Sequence, residues 1–144
     1  MLLVVDTSVL VGDLLRVKGR ERLRDPRLDL CLPEQMLAET HVELPRRIRA
    51  FADSVGLNSD ERDALLILCL DAIDNNVAIV GAEIYMPFRD EAQARTQRDP
   101  TDWPAVACAL ALSAAVWTND NDFLGTGVPT WTTQSLQIWL DRHQ

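Results

Sequence analysis

Four short apolar runs punctuate this chain, Leu2–Val5, Leu28–Leu32, Val77–Val80 and Ala115–Thr118, and every interval between them is long enough for at least one helix. An apolar run of four or five residues bounded by turn-formers reads as a buried strand. Consecutive strands joined by long connections must lie parallel, because an antiparallel pair needs only a tight turn whereas a parallel pair needs a crossover, usually helical. The alternation therefore restricts the chain to an α/β fold: a short-stranded central parallel sheet flanked by helices.

The intervals carry helical signals of their own. Val9, Leu10, Leu14 and Leu15 recur at helical spacing, which predicts a helix from Ser8 to about Arg16, followed by an arginine-rich loop or short helix to Asp29. Pro33 and Glu34 suit a helix start, and Pro45 is expected to kink or restart the helix that follows. Ser59-Asp60-Glu61 opens a helix ending near Asn76, Tyr85 to about Gln97 forms another with Pro87 in its first turn, and Asp99 to Asp102 caps an alanine-rich helix from Trp103 to Ala114. After a turn at Gly125–Pro129, a brief strand near Thr130-Trp131 and a closing helix with Leu136, Trp139 and Leu140 complete the pattern.

With 144 residues the chain suffices for a single domain, 1–144, with a self-sufficient core. Pro104 to Trp117, the longest uncharged apolar run, is about half of a membrane span. The first strand begins without a basic flank or cleavage site, so a cytoplasmic protein is expected, with no membrane partner. Cys31, Cys69 and Cys108 are odd in number, widely spaced and set among apolar neighbours, and only His41 and His143 accompany them. That excludes a disulfide framework and a structural zinc site.

Charge is the second constraint. The net charge is −8, yet residues 1–49 hold nine of the fourteen basic side chains against eight acids. Arg20, Arg22 and Arg24, with Arg46, Arg47 and Arg49, offer a phosphate-binding surface; the alternative is a solvated face balancing Glu21, Asp25, Glu34 and Glu43. The acids fall into a pattern too. The first strand ends in VVDTS and the fourth in VWTNDND, Asp102 stands at the start of the helix feeding the fourth strand, and Glu39 lies early in the helix after the second. In open parallel sheets such positions converge on one rim.

Carboxylates gathered together resist joint ionisation unless a cation is present. Oxygen-only donors without His or Cys suit Mg²⁺ or Mn²⁺, which neutralise phosphate and activate water in an in-line displacement. Each acid alone also has an ordinary explanation, as a helix cap at Asp102, turn-formers at Asp120 and Asp122, or one exposed glutamate among several at Glu39. A phosphatase using an aspartyl nucleophile would need a second aspartate where Ser8 stands, and an adhesion-type metal motif would need a serine where Leu10 stands. No glycine-rich phosphate loop or nucleophile elbow is present.

The stretches VVDTSVLVGDLL, LPEQMLAETHVEL, RDPTDWPAVACALAL and VWTNDNDFLGTGVPTWTT together resemble the PIN domain, the metal-dependent ribonuclease fold of VapC-type toxins in toxin–antitoxin modules. The resemblance implies catalytic acids at Asp6, Glu39, Asp102 and Asp120, metal ligation by Asp6, Asp102, Asp120 and Asp122, and Ser8 as a nearby hydroxyl. Glu43 competes with Glu39 one turn along the same helical face, and Asp99 competes with Asp102. The implied cofactor is Mg²⁺ or Mn²⁺, the implied substrate RNA, and the implied partners a cognate antitoxin and a second copy of the chain. A domain that binds RNA or protein without cutting is the alternative; retention of all four acids argues against it, while the net charge of −8 opposes affinity for a polyanion.

Overall fold

The computed structural model describes residues 1–144. Strand β1 (Leu2–Val5) occupies the middle of an all-parallel sheet with β2 (Asp29–Pro33), β3 (Val77–Val80), β4 (Ala115–Trp117) and β5 (Thr130–Trp131), in the order β3-β2-β1-β4-β5. Leu3 lies opposite Leu30 on one side and Ala115 on the other, and Val4 opposite Cys31 and Val116. A central strand covered on both faces has no position for a polar residue, which is why β1 is continuously apolar. Leu3, Val4 and Val5 are fully buried. The chain runs outward from β1 through β2 to β3, then returns across the sheet to β4, so its order reverses beside β1. The crevice beyond the carboxyl ends of β1 and β4 is therefore where a ligand fits such a sheet.

The helices are α1 (Thr7–Leu14), α2 (Val17–Leu23), α3 (Glu34–Val55), α4 (Ser59–Asn76), α5 (Ala82–Tyr85), α6 (Arg89–Arg95), α7 (Trp103–Leu112) and α8 (Thr133–Arg142). Every residue from Pro104 to Ala109 of α7 is buried, and its small side chains let it pack against β1, β2 and β4. Asn58 caps α4 by accepting from the Glu61 N–H, while Glu61 accepts from the Asn58 N–H. Thr132 and Ser135 make the equivalent exchange at the start of α8. Each reciprocal pair satisfies two backbone donors that the first turn would otherwise leave free.

Three expectations need correction. Pro45 neither ends nor restarts its helix: α3 is continuous for 22 residues. An interior proline costs about 3 kcal/mol, but Met36, Thr40, Leu44, Ile48 and Ala52 are all buried at four-residue steps and hold the helix to the core. Pro45 and His41, whose carbonyl loses its partner, are both exposed. The stretch Tyr85–Gln97 is not one helix; Pro87 leaves a 3₁₀ turn at Met86–Phe88 between α5 and α6, and α6 stops at Arg95. Helix α7 ends at Leu112, short of Ala114, because Ser113 takes a left-handed conformation at φ 52°.

Candidate functional site

The end of β1 and the end of β4 are tied by one hydroxyl. The Asp6 N–H donates to the Trp117 carbonyl at 2.9 Å, continuing the sheet ladder by one residue. Thr118 Oγ1 then donates to Asp6 Oδ2 at 2.8 Å and accepts the Asp120 N–H at 3.0 Å. The same Asp6 oxygen accepts from Ser8 Oγ at 3.5 Å. Asp120 is further shaped by its own turn, its Oδ1 accepting the Asp122 N–H at 2.9 Å. Asn119 between them is pinned to the start of α8: its Oδ1 accepts the Thr133 N–H at 2.9 Å and its Nδ2 donates to Thr133 Oγ1 at 3.2 Å. Thr133 Oγ1 also accepts from the Trp117 indole at 3.0 Å. Both aspartates are thus held by short-range bonds to rigid elements.

Asp102 reaches the same place from the other direction. Pro100 and Asp99 start a 3₁₀ turn, with Asp99 Oδ1 accepting from the Thr101 N–H and hydroxyl, and Asp102 follows as the residue before α7. Carboxylate oxygens of Asp99, Asp102 and Asp120 lie within 4.8 Å of one another. Asp102 Oδ2 is buried and has no hydrogen-bond partner. A buried, unpaired carboxylate oxygen is costly, and its neighbours here are also anionic. Burial first, then the charges of Asp99, Asp6, Asp120 and Asp122, push the Asp102 carboxyl up to about 7. Burial likewise raises Asp6, offset by the Thr118 hydrogen bond and reinforced by Asp120.

A cleft of about 340 Å³ opens over these groups, lined by Asp6, Thr7, Ser8, Met36, Glu39, Glu43, Arg47, Thr101, Asp102 and Asp120. Glu39, though exposed over much of its surface, is raised above the ordinary glutamate range by partial desolvation first and by Asp6 second. Glu43 shares the cleft and sits 3.6 Å from Arg46. Asp6, Ser8, Glu39, Glu43, Asp102 and Asp120 therefore meet in one crevice, and Asp99 belongs to the tightest carboxylate group. Asp122 does not line the cleft: it turns toward Arg98, with 3.5 Å between Oδ1 and Nη2.

The arginines of α2 lie elsewhere. Arg22 makes a 2.6 Å ion pair with the buried Asp13 and a 3.0 Å bond to Gln137, tying α1 and α2 to α8. Arg20 donates to the Leu14 carbonyl at 2.6 Å, and Arg24 is exposed just beyond α2. None of the three lines the acidic cleft, whereas Arg47 does. Thr118, Asn119 and Thr133 were not singled out by sequence. The only hint was the T-x-D spacing, whose meaning depends on β1 lying alongside β4.

All the donors in the crevice are oxygens, three of them crowd together, and one lacks any partner; a hard divalent cation is the group that such a set accommodates. A family model described as the PIN domain matches residues 4–141. No curated protein matches the chain. PIN domains are in general nucleases, phosphodiester hydrolases that use divalent metals. With its five-stranded parallel sheet, its acidic crevice at the reversal of strand order and a match over nearly its whole length, the chain belongs to the PIN-domain family.

Proposed function

We propose that this chain is an endoribonuclease dependent on Mg²⁺ or Mn²⁺, and that it serves as the toxin component of a toxin–antitoxin module in the cytoplasm. The observation that carries the reading is the convergence of Asp6, Asp102 and Asp120 where the strand order reverses, with a buried Asp102 oxygen left unpartnered. No helix of the chain is long and apolar enough to cross a membrane.

Asp102 and Asp120 would hold the cation, with Asp6 lining the same cleft and Asp99 bringing an oxygen within 4.8 Å of theirs; Glu39 lines the cleft as well, and Asp122 is a more distant acid. The cation supplies charge neutralisation at the phosphate and lowers the pKa of attacking water. The chain itself supplies position. Thr118 fixes Asp6 and the backbone of Asp120 through one hydroxyl, so the two aspartates cannot move independently. Glu39, raised by its surroundings, is placed to take or return a proton as the phosphodiester is attacked. Ser8 offers a hydroxyl beside Asp6 for orienting a phosphate or water.

Incubation of the chain with a panel of structured RNAs in Mg²⁺ tests this. The expected result is discrete cleavage that EDTA stops and that Asp120→Asn abolishes while the fold persists by circular dichroism. Tight RNA binding with no cleavage in Mg²⁺ or Mn²⁺ would refute the enzyme and favour the binding-module reading. A homodimer and an antitoxin partner belong to the same proposal; sedimentation of the purified chain and co-purification of a small basic partner from cells expressing it check them.

A further inference from the structure

The acidic cleft does not end at Arg47. That side chain also lines a second groove of about 410 Å³ between α1 and α3, shared with Gly12, Leu15, Arg16, Ala50, Phe51 and Ser54. The two cavities therefore adjoin at Arg47, and both lie along α1, which starts at the site and spans eight residues, about 12 Å at 1.5 Å per residue.

The groove combines three features. Its two cations are free: neither Arg16 nor Arg47 makes a side-chain hydrogen bond or ion pair, whereas Arg20, Arg22, Arg27, Arg95 and Arg98 are all engaged within the chain. Its floor includes a glycine that the fold does not need. Gly12 lies inside α1, where glycine is a poor helix former, and a Cβ there would meet no atom within 4 Å. Glycine with open space above it leaves room for close approach from outside. Finally, Phe51 brings a half-buried aromatic ring to the wall.

We infer that the α1/α3 groove carries the single-stranded RNA flanking the bond cut in the acidic cleft, with Arg47 and Arg16 on successive phosphates and Phe51 beneath a base. This rests on the ribonuclease reading above. A strand cannot be cut at one point without leaving the cleft somewhere, and the exit over Arg47 is bordered by unpaired positive charge on a chain of net charge −8. Twelve ångströms accommodates roughly three stacked nucleotides at about 3.4 Å each. Aromatic and arginine side chains along a groove are the general means of holding single strands without reading sequence.

The test is fluorescence anisotropy with a fluorescein-labelled, mixed-sequence single-stranded oligoribonucleotide, in an Asp120→Asn background so that binding is read apart from turnover. Arg16→Ala and Arg47→Ala are each expected to weaken binding about tenfold and to flatten the log–log salt slope by about 0.7. Gly12→Leu, which fills the floor with a better helix former, should weaken binding without lowering the melting temperature. Arg142→Ala, exposed on α8 and outside both cavities, should leave affinity unchanged. Wild-type affinity and slope in Arg16→Ala and Gly12→Leu overturn the proposal and leave the groove to a partner protein's helix. An equal loss in Arg142→Ala overturns it too, by showing diffuse charge attraction. If the unsubstituted chain cuts no RNA yet the groove variants lose binding, the ribonuclease reading fails and the groove assignment stands.

Discussion

Asp102→Asn should stabilise the metal-free protein, and the effect should appear only above mid-acid pH. Asp102 is held at about 7 in the folded chain, against an ordinary value of 3.8, by burial and by Asp99, Asp6, Asp120 and Asp122. Between those two values the folded chain binds more protons than the unfolded chain, so its stability falls as pH rises; the whole penalty is present above about pH 7 and absent below about pH 4. At 1.36 kcal/mol per unit, the displacement sets a ceiling of about 4 kcal/mol. Asp102 is only partly buried, so screening by solvent and by relaxation of the neighbouring acids reduces this to about 1–2 kcal/mol. Asparagine removes the charge while keeping the shape. In EDTA at pH 8 the melting temperature should rise by roughly 3–6 °C, with no gain at pH 4. Mg²⁺ should stabilise the unsubstituted protein at pH 8 more than the variant, since a ligand that binds only the folded state adds RT ln(1 + [L]/Kd). Thermal melts across pH 4–8, with and without Mg²⁺, decide it. A destabilised variant at pH 8, or a gain that does not depend on pH, would refute the account of Asp102 as a charge held out of balance.

Three further outcomes are expected. Arg22→Ala should lower stability by about 3 kcal/mol in urea denaturation, because it strands the buried Asp13 carboxylate; if instead stability is kept and only RNA affinity falls, Arg22 is a phosphate contact and not a tie between α1, α2 and α8. Ser113→Gly should raise stability by about 1 kcal/mol, since Ser113 is exposed and held at φ 52°, where a side chain is strained; an unchanged melting curve would show that the strain is relieved elsewhere. If a small basic partner inhibits the enzyme by placing an arginine among Asp6, Asp102 and Asp120, its inhibition should weaken as Mg²⁺ rises; inhibition that is constant across a Mg²⁺ titration puts the partner on another surface.

The architecture was legible in the chain because it is encoded locally. Runs such as Leu2–Val5 and Val77–Val80 are apolar on every residue, which marks strands of a helix-flanked parallel sheet even where the edge strand β3 leaves Ala78 and Ile79 exposed, and the intervals between them admit little but helical crossovers. The acids at the ends of β1 and β4 were legible for the same reason: strand ends in a parallel sheet share one rim, so Asp6 and Asp120 could be paired across 114 residues without knowing the distance between them. Where local rules competed with the core, they failed. Pro45 is a helix breaker by its own chemistry, yet five buried residues at helical spacing outweigh it, and that balance depends on what α3 packs against.

Only the tertiary structure decided which charges face one another. Arg20, Arg22 and Arg24 look like a basic patch in sequence, but folding turns Arg22 onto Asp13 and Gln137 and Arg20 onto the Leu14 carbonyl, leaving Arg47 at the acidic cleft. Asp122 likewise looks equivalent to Asp120 two residues before it, yet a 3₁₀ turn sends it to Arg98. Side-chain periodicity says on which face a residue lies; it does not say which of several like-charged neighbours is satisfied by a partner on another element. That depends on long-range packing, here the alignment of β1 with β4 that lets a single Thr118 hydroxyl set two aspartates and leaves Asp102 beside them without a partner.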